Sequence, residues 1–233
     1  VKECGADIVR FGCYKGQNYP VVNGKPEYLG LGDEGVKILG KIQNELNIPC
    51  VCDFQSRYQL SKVWEAKIKY LMIGARNMDN LALLRATRKV FSCDEIGRPK
   101  DWKQFRKIIL KRGPSSTIHE FIGAAEHLGG PSKVILCERG TVHFDRHDYT
   151  RYRLDFVGVA EIKHYHPEYR IIIDPSHGSG DRNLILSLSK AALSISDGLM
   201  VEVHYDPDSS PTDAPQTIDF PTFKEIGEYY DKL

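Results

Sequence analysis

The stretch RIIIDPSHGSGDR, residues 170–182, sets an acid and an imidazole, Asp174 and His177, directly behind a short apolar run. A carboxylate and a ring nitrogen at the mouth of a buried strand suit metal coordination or proton transfer. The pattern recurs. DIVRF (7–11) holds Arg10, with Lys15 just beyond it, and IPCVCDF (48–54) carries Asp53. YLMIGAR (70–76) ends on Arg76, KIILKRG (107–113) on Lys111 and Arg112, and KVILCERG (133–140) on Glu138 and Arg139. GLMVEVHYD (198–206) contains Glu202 and His204.

Each of these residues alone has an ordinary explanation: a surface lysine, a loop histidine, a glutamate paired with an arginine. Charges behind every apolar run are harder to explain as solvation, because gathering them unpaired in one place costs several kcal/mol per ion. They also sort by kind. Arg10, Lys15, Arg76, Lys111 and Arg139 form a cationic group suited to a small, highly anionic substrate, since guanidinium forks match phosphate and carboxylate oxygens. His177, Glu202 and Asp213 offer one nitrogen and two oxygens, a donor set for a divalent cation.

Something must bring these residues together. The runs are rich in Ile and Val and alternate with helix-like stretches, including 34–46, 56–68, 117–128, 183–194 and 221–232. That alternation predicts an α/β fold with a parallel sheet covered on both faces. In a (β/α)8 TIM barrel, functional residues sit at the C-terminal ends of the strands, as the charged residues do here. The runs number seven rather than eight, and VKECGADIVR reads as the last turn of a helix followed by a strand. The expectation is therefore one TIM-barrel catalytic domain over 1–233, with the first strand and most of the first helix missing from this sequence. A doubly wound open sheet is the alternative.

Composition narrows the partners. Thirty-two Lys plus Arg against 31 Asp plus Glu leave a formal charge of +1, which gives no reason to expect nucleic acid or a membrane surface. No apolar run nears the ~20 residues that span a bilayer, and no signal-peptide pattern opens the chain. A cytoplasmic protein is expected. The six cysteines, Cys4, Cys13, Cys50, Cys52, Cys93 and Cys137, lack zinc-ribbon spacing and read as reduced thiols. Alternation along a strand puts Cys50 and Cys52 on one face as core residues.

Several motifs then become recognisable: LGLGDEGVKIL (29–39), GARNMDN (74–80), LKRG (110–113), ILCERG (135–140), DPSHGSGDR (174–182) and GLMVEVHYDPDSSPTDAPQ (198–216). In this order they resemble the 3-deoxy-D-arabino-heptulosonate 7-phosphate (DAHP) synthases of the short type. The related 3-deoxy-manno-octulosonate 8-phosphate synthases share the barrel and fit less well. The resemblance implies a transferase of aromatic amino acid (shikimate) biosynthesis that condenses phosphoenolpyruvate with an aldose phosphate and releases phosphate. It implies that Arg76, Lys111 and Arg139 bind phosphoenolpyruvate, with Ala75 adding a backbone contact, Arg10 and Lys15 flanking it, and Asp53 standing where the family usually has glutamate. It further implies that His177, Glu202 and Asp213 are three of four ligands to a divalent metal (Mn, Co, Fe or Zn). Asp174 is expected to orient His177 or position water, Lys15 and Lys111 to serve in catalysis, and the protein to be a homo-oligomer, dimer or tetramer.

Two departures qualify that picture. The family's fourth metal ligand is a cysteine in a GPC-type motif, and none of the six cysteines here stands in one. Where the family shows Lys-Pro-Arg-Thr or Lys-Pro-Arg-Ser, this chain has Lys15, Gly16, Gln17 and Asn18. An amide cannot supply the charge that a guanidinium brings to a phosphate. Either Gln17 and Asn18 meet a different acceptor, such as an unphosphorylated aldose, or Arg57, Arg146, Arg151 or Arg182 compensates. The charged stretch SCDEIGRPKDWKQFRK (92–107) is longer than the family's loop and reads as a surface insertion, a subunit contact or a cap. A silent relative that only binds phosphoenolpyruvate is the reading from another functional class.

Overall fold

A computed structural model describes residues 1–15, 21–22, 25–26, 28–91, 105–144 and 150–233. Gly16, Gln17, Asn18, Cys93 and Arg146, and the insertion through residue 104, lie outside the described residues. Six strands form one parallel sheet: β1 (Val9–Phe11), β4 (Cys50–Asp53), β5 (Tyr70–Ile73), β6 (Lys107–Lys111), β7 (Val134–Glu138) and β8 (Arg170–Ile173), in that spatial order. A separate antiparallel pair joins β2 (Val21–Val22) to β3 (Lys25–Pro26). Helices follow the strands: α1 (Gly32–Glu45), α2 (Arg57–Glu65), α3 (Leu81–Phe91), α4 (Ile118–Leu128), α5 (Phe156–Tyr165), α6 (Pro175–Ser179), α7 (Arg182–Leu193) and α8 (Phe220–Tyr230).

The expected seventh strand, 198–206, is not a full ladder. It touches β8 through one parallel bridge, Ile173 to Leu199, with Ile173 N donating to Gly198 O at 3.1 Å and Met200 N donating to Ile173 O at 2.9 Å. The described residues therefore form a parallel arc of six strands extended by this segment, rather than the eight strands of a closed barrel. The two ends of the arc meet through side chains: Arg10 of β1 pairs with Glu202 at 2.8 Å.

Strand alternation divides the core in two. Cys50 and Cys52, Leu71 and Ile73, Ile108 and Leu110, Val134 and Leu136, and Ile171 and Ile173 pack toward the helices, against residues such as Leu39, Val63, Phe121 and Ile162. Both cysteines of β4 are fully buried there, as expected. Val51, Met72, Ile109 and Cys137 form a second cluster on the other face, with Ile8, Ile172 and Met200 against it. Continuing that second face by two residues per step reaches Arg10, Asp53, Lys111, Arg139, Asp174 and Glu202. The two-residue period of the strands thus delivers charged groups to one end of one face. Among the described residues no helix is long and apolar enough to cross a membrane.

Candidate active site

A cavity of about 940 Å³ opens at the C-terminal ends of the strands. Its lining includes Arg10, Lys15, Asp53, Ala75, Arg76, Lys111, Arg139, His177 and Asp213, all anticipated from the sequence. Arg112 and Glu138 do not join them, although both stand at strand ends. They have the opposite parity and pair with each other at 3.0 Å, and Arg112 also bonds Asp155 at 2.7 Å and the Ser116 carbonyl. Burial pushes the Glu138 carboxyl above its ordinary pKa, and only partial compensation comes from Arg112. This pair fastens the sheet to the entry of α5. His204 also lies outside the cavity lining.

The site is built around a chain of alternating charges. Asp174 follows β8, is fully buried, and caps the short helix α6 by accepting from His177 N at 2.9 Å. Its other oxygen receives Lys111 Nζ at 2.5 Å and His177 Nδ1 at 2.8 Å. Burial alone would raise the Asp174 pKa, but His177 and Lys111 hold it well below the ordinary carboxylate range. Because Nδ1 faces Asp174, Nε2 of His177 faces Glu202, 3.8 Å from Oε1. Glu202 in turn meets Arg10, whose second nitrogen reaches Asp53 at 3.0 Å. The Glu202 carboxyl is likewise held below its ordinary value, against the effect of burial, by Arg10 and His177.

Asp213 arrives from the other side, on the loop after the 198–203 segment. It adopts the left-handed backbone conformation, φ 58°, which costs a non-glycine residue about 1 kcal/mol. Thr217 Oγ1 and Gln216 N both donate to its carbonyl, at 2.9 and 3.0 Å, and Arg182 grips the loop at the Ala214 carbonyl. One donor atom each from His177, Glu202 and Asp213 lie within 4.8 Å of one another. An imidazole nitrogen with a carboxylate behind it, two further carboxylates and an open cavity beside them fit a divalent cation. Lys15 reaches the same corner, bonding Thr212 and lying 3.8 Å from Asp213.

Sequence reasoning missed several lining residues. Tyr14 lines the cavity and donates to Asp33 at 2.7 Å. Thr212 could have been read from its place beside Asp213. Tyr152 carried no signal at all, yet its ring lies 4.3 Å from the Arg139 guanidinium carbon and 5.4 Å from that of Arg151.

The structure thus combines a parallel α/β arc with a cation-lined cavity and a three-residue metal donor set at its strand ends. Residues 21–233 match the DAHP synthetase I family, and the chain belongs to that family. It is similar to the phospho-2-dehydro-3-deoxyheptonate aldolase of Thermotoga maritima, at 33% identity over the whole of this chain and 63% of the relative. A 2-dehydro-3-deoxyphosphooctonate aldolase of Rickettsia bellii is 30% identical, over 80% of this chain and 66% of that protein. The crystal structure of the Thermotoga DAHP synthase superposes with a TM-score of 0.82, covering 99% of this chain and 62% of that one. A truncated form of that synthase gives 0.79, at 32% identity and with 77% of it covered. The chain thus spans somewhat under two thirds of the length of the Thermotoga relative.

Proposed function

We propose that this chain carries the active site of a transferase that joins phosphoenolpyruvate to an aldose phosphate, making a 3-deoxy-2-keto sugar acid phosphate and releasing inorganic phosphate. The observation that carries the reading is the shared cavity: five cations from four strand ends, Arg10, Lys15, Arg76, Lys111 and Arg139, face it beside His177 and Asp213. Phosphoenolpyruvate brings a phosphate and a carboxylate, so several cations are needed to neutralise it away from bulk water. Arg76, Lys111 and Arg139 take that role, with Ala75 beside them and Arg10 and Lys15 at the flank. Arg10 Nε and Asp53 Oδ1 are buried without a protein partner among the described residues, which leaves a donor and an acceptor for a bound molecule.

His177, Glu202 and Asp213 would hold a divalent cation, which when bound supplies Lewis acidity toward the aldehyde oxygen. The remaining work falls to the protein's own groups. The cationic wall holds the enol so that its methylene carbon faces the aldehyde carbon, the two atoms that become bonded. Water adds to the enol carbon and gives up both protons: one goes to the former aldehyde oxygen, and the other passes to the departing phosphate, which leaves with its bridging oxygen as the hemiketal collapses to the ketone. Lys15 and Lys111 are the lysines of the cavity wall that can hold or pass those protons. Asp174 fixes the tautomer and direction of the His177 ring. The same reading takes the arc as part of a closed (β/α)8 barrel and the chain as one catalytic domain of a homo-oligomer.

The test is phosphate release from phosphoenolpyruvate by the purified protein, with Mn²⁺ and a panel of aldoses and aldose phosphates. The reading expects release with at least one aldose phosphate, abolished by EDTA and restored by added metal. Binding of phosphoenolpyruvate with no release for any aldehyde would favour a silent, regulatory relative instead.

A further inference from the structure

An aldose phosphate brings a second phosphate, which needs a cation other than those that neutralise phosphoenolpyruvate. The segment behind Lys15 offers only Gly16, Gln17 and Asn18. Among the described arginines weighed as substitutes, Arg57 is exposed at the start of α2 and does not line the cavity. Arg182 is engaged by Asp208 at 2.8 Å and by the Ala214 carbonyl at 2.6 Å. Arg151 alone of these lines the cavity.

We infer that Arg151, backed by Tyr152, is the subsite for the acceptor's phosphate and so selects phosphorylated over unphosphorylated aldehydes. This rests on the condensation proposed above and names the handle by which its second substrate is held.

The segment is built into the fold rather than draped over it. Arg151 N donates to the Ser179 carbonyl at 2.9 Å, and Arg153 exchanges backbone hydrogen bonds with Thr141 at 2.9 and 3.1 Å. Two glycines make room for it. A Cβ on Gly140 (φ +91) would stand 2.7 Å from Tyr152 Cβ, and one on Gly180 (φ +75) would stand 2.9 Å from Arg151 Cβ. Glycine is needed at both places for its backbone conformation as well as for space.

Arg151 faces the same cavity as Arg139 and His177. The Tyr152 ring lies near both guanidiniums, 4.3 Å from that of Arg139 and 5.4 Å from that of Arg151, so one aromatic ring links Arg151 to the cationic wall. Burial would raise the Tyr152 phenol pKa, yet the two arginines hold it below its ordinary value. The Ser179 carbonyl that receives Arg151 N lies two residues beyond His177, so the segment carrying Arg151 is fastened to the short helix that bears His177. His177 and Arg151 line the same cavity, so one acceptor can have its carbonyl at the first and its phosphate at the second.

Steady-state phosphate release tests this with Arg151→Met and Arg151→Lys, using D-erythrose 4-phosphate, unphosphorylated D-erythrose and phosphoenolpyruvate as varied substrates. Loss of a charge-assisted contact predicts a roughly tenfold to hundredfold rise in KM for erythrose 4-phosphate in Arg151→Met. KM for phosphoenolpyruvate and kcat/KM for erythrose should stay within about twofold, since neither substrate has a group for the subsite to lose. Unchanged turnover of erythrose also certifies that the variant is folded, and Arg151→Lys should recover part of the loss. Equal effects on both aldehydes, or a rise confined to phosphoenolpyruvate, would overturn the assignment. If the wild-type protein turns over no aldehyde, the condensation itself has failed, and calorimetric binding of erythrose 4-phosphate decides the subsite separately. Binding weakened at least tenfold in Arg151→Met supports it. Equal binding by the two proteins, or none by the wild type, ends it.

Discussion

Asp174 concentrates the chemistry of the site in one side chain. It is fully buried and accepts from Lys111 Nζ, His177 Nδ1 and His177 N. Asp174→Asn would leave the ammonium of Lys111, itself 4% exposed, without its counter-charge. Removing one partner of a buried pair costs about 3–5 kcal/mol, measurable as a shift in the urea unfolding midpoint. The same change frees His177 to turn, so affinity for Mn²⁺ should fall roughly tenfold to a hundredfold, read by calorimetry on protein that is still folded. A variant with wild-type stability and unaltered metal affinity would remove Asp174 from this role. The pairing of acid and imidazole was legible in DPSH. Lys111 as the third member was not, because it lies 63 positions away and only the sheet brings it near.

At the scale of elements, period-two alternation explains which charges enter the cavity. Lys111 and Arg139 lie on the same face as Ile109 and Cys137, whereas Arg112 and Glu138, one residue out of step, turn toward α5. Reading strand ends without their parity counts all four. The helices were less evenly legible. α5 does not confine its apolar residues to one stripe, since Val157 is 79% exposed while Val159 and Ile162 are buried. The loop bearing Lys15 is held by a clasp no motif announced: Asp33, in the first turn of α1, accepts from Tyr14 and Tyr58, each at 2.7 Å. Those two hydrogen bonds hold the Asp33 carboxyl below its ordinary pKa of 3.8. A depressed folded-state pKa contributes stability that is present above 3.8 and lost as pH falls through the folded value. Wild type should therefore exceed Asp33→Asn in denaturant midpoint at neutral pH, with the gap closing as the medium is made more acid than pH 3.8. A gap that does not change with pH would mean the clasp is not ionic.

For the whole molecule, the balance of charge matters less than its distribution. A net formal charge of +1 conceals six cations lining one cavity, Arg151 included, which focuses attraction on a small polyanion. The parallel α/β architecture was legible because five of its strands are nearly continuous apolar runs. The closing segment was not, because beyond β8 its pairing is a single bridge and its tie to β1 is the Arg10–Glu202 ion pair. A cation bound between His177, Glu202 and Asp213 would join the elements this segment leaves loosely connected. Mn²⁺ at one hundred times its dissociation constant should stabilise the fold by about 2.7 kcal/mol. The corresponding rise in Tm is roughly 5–10 °C for a chain of this size. EDTA should reverse it, and His177→Ala should abolish it. A metal-induced rise that survives His177→Ala would place the cation elsewhere.

The most direct measurement of the central claim is anomalous diffraction from crystals soaked with Mn²⁺ and phosphoenolpyruvate. The account predicts a manganese peak bounded by His177, Glu202 and Asp213, with the substrate's phosphate against Arg76, Lys111 and Arg139 in the same cavity. Manganese away from those three side chains, or phosphoenolpyruvate bound outside the cavity, would contradict it.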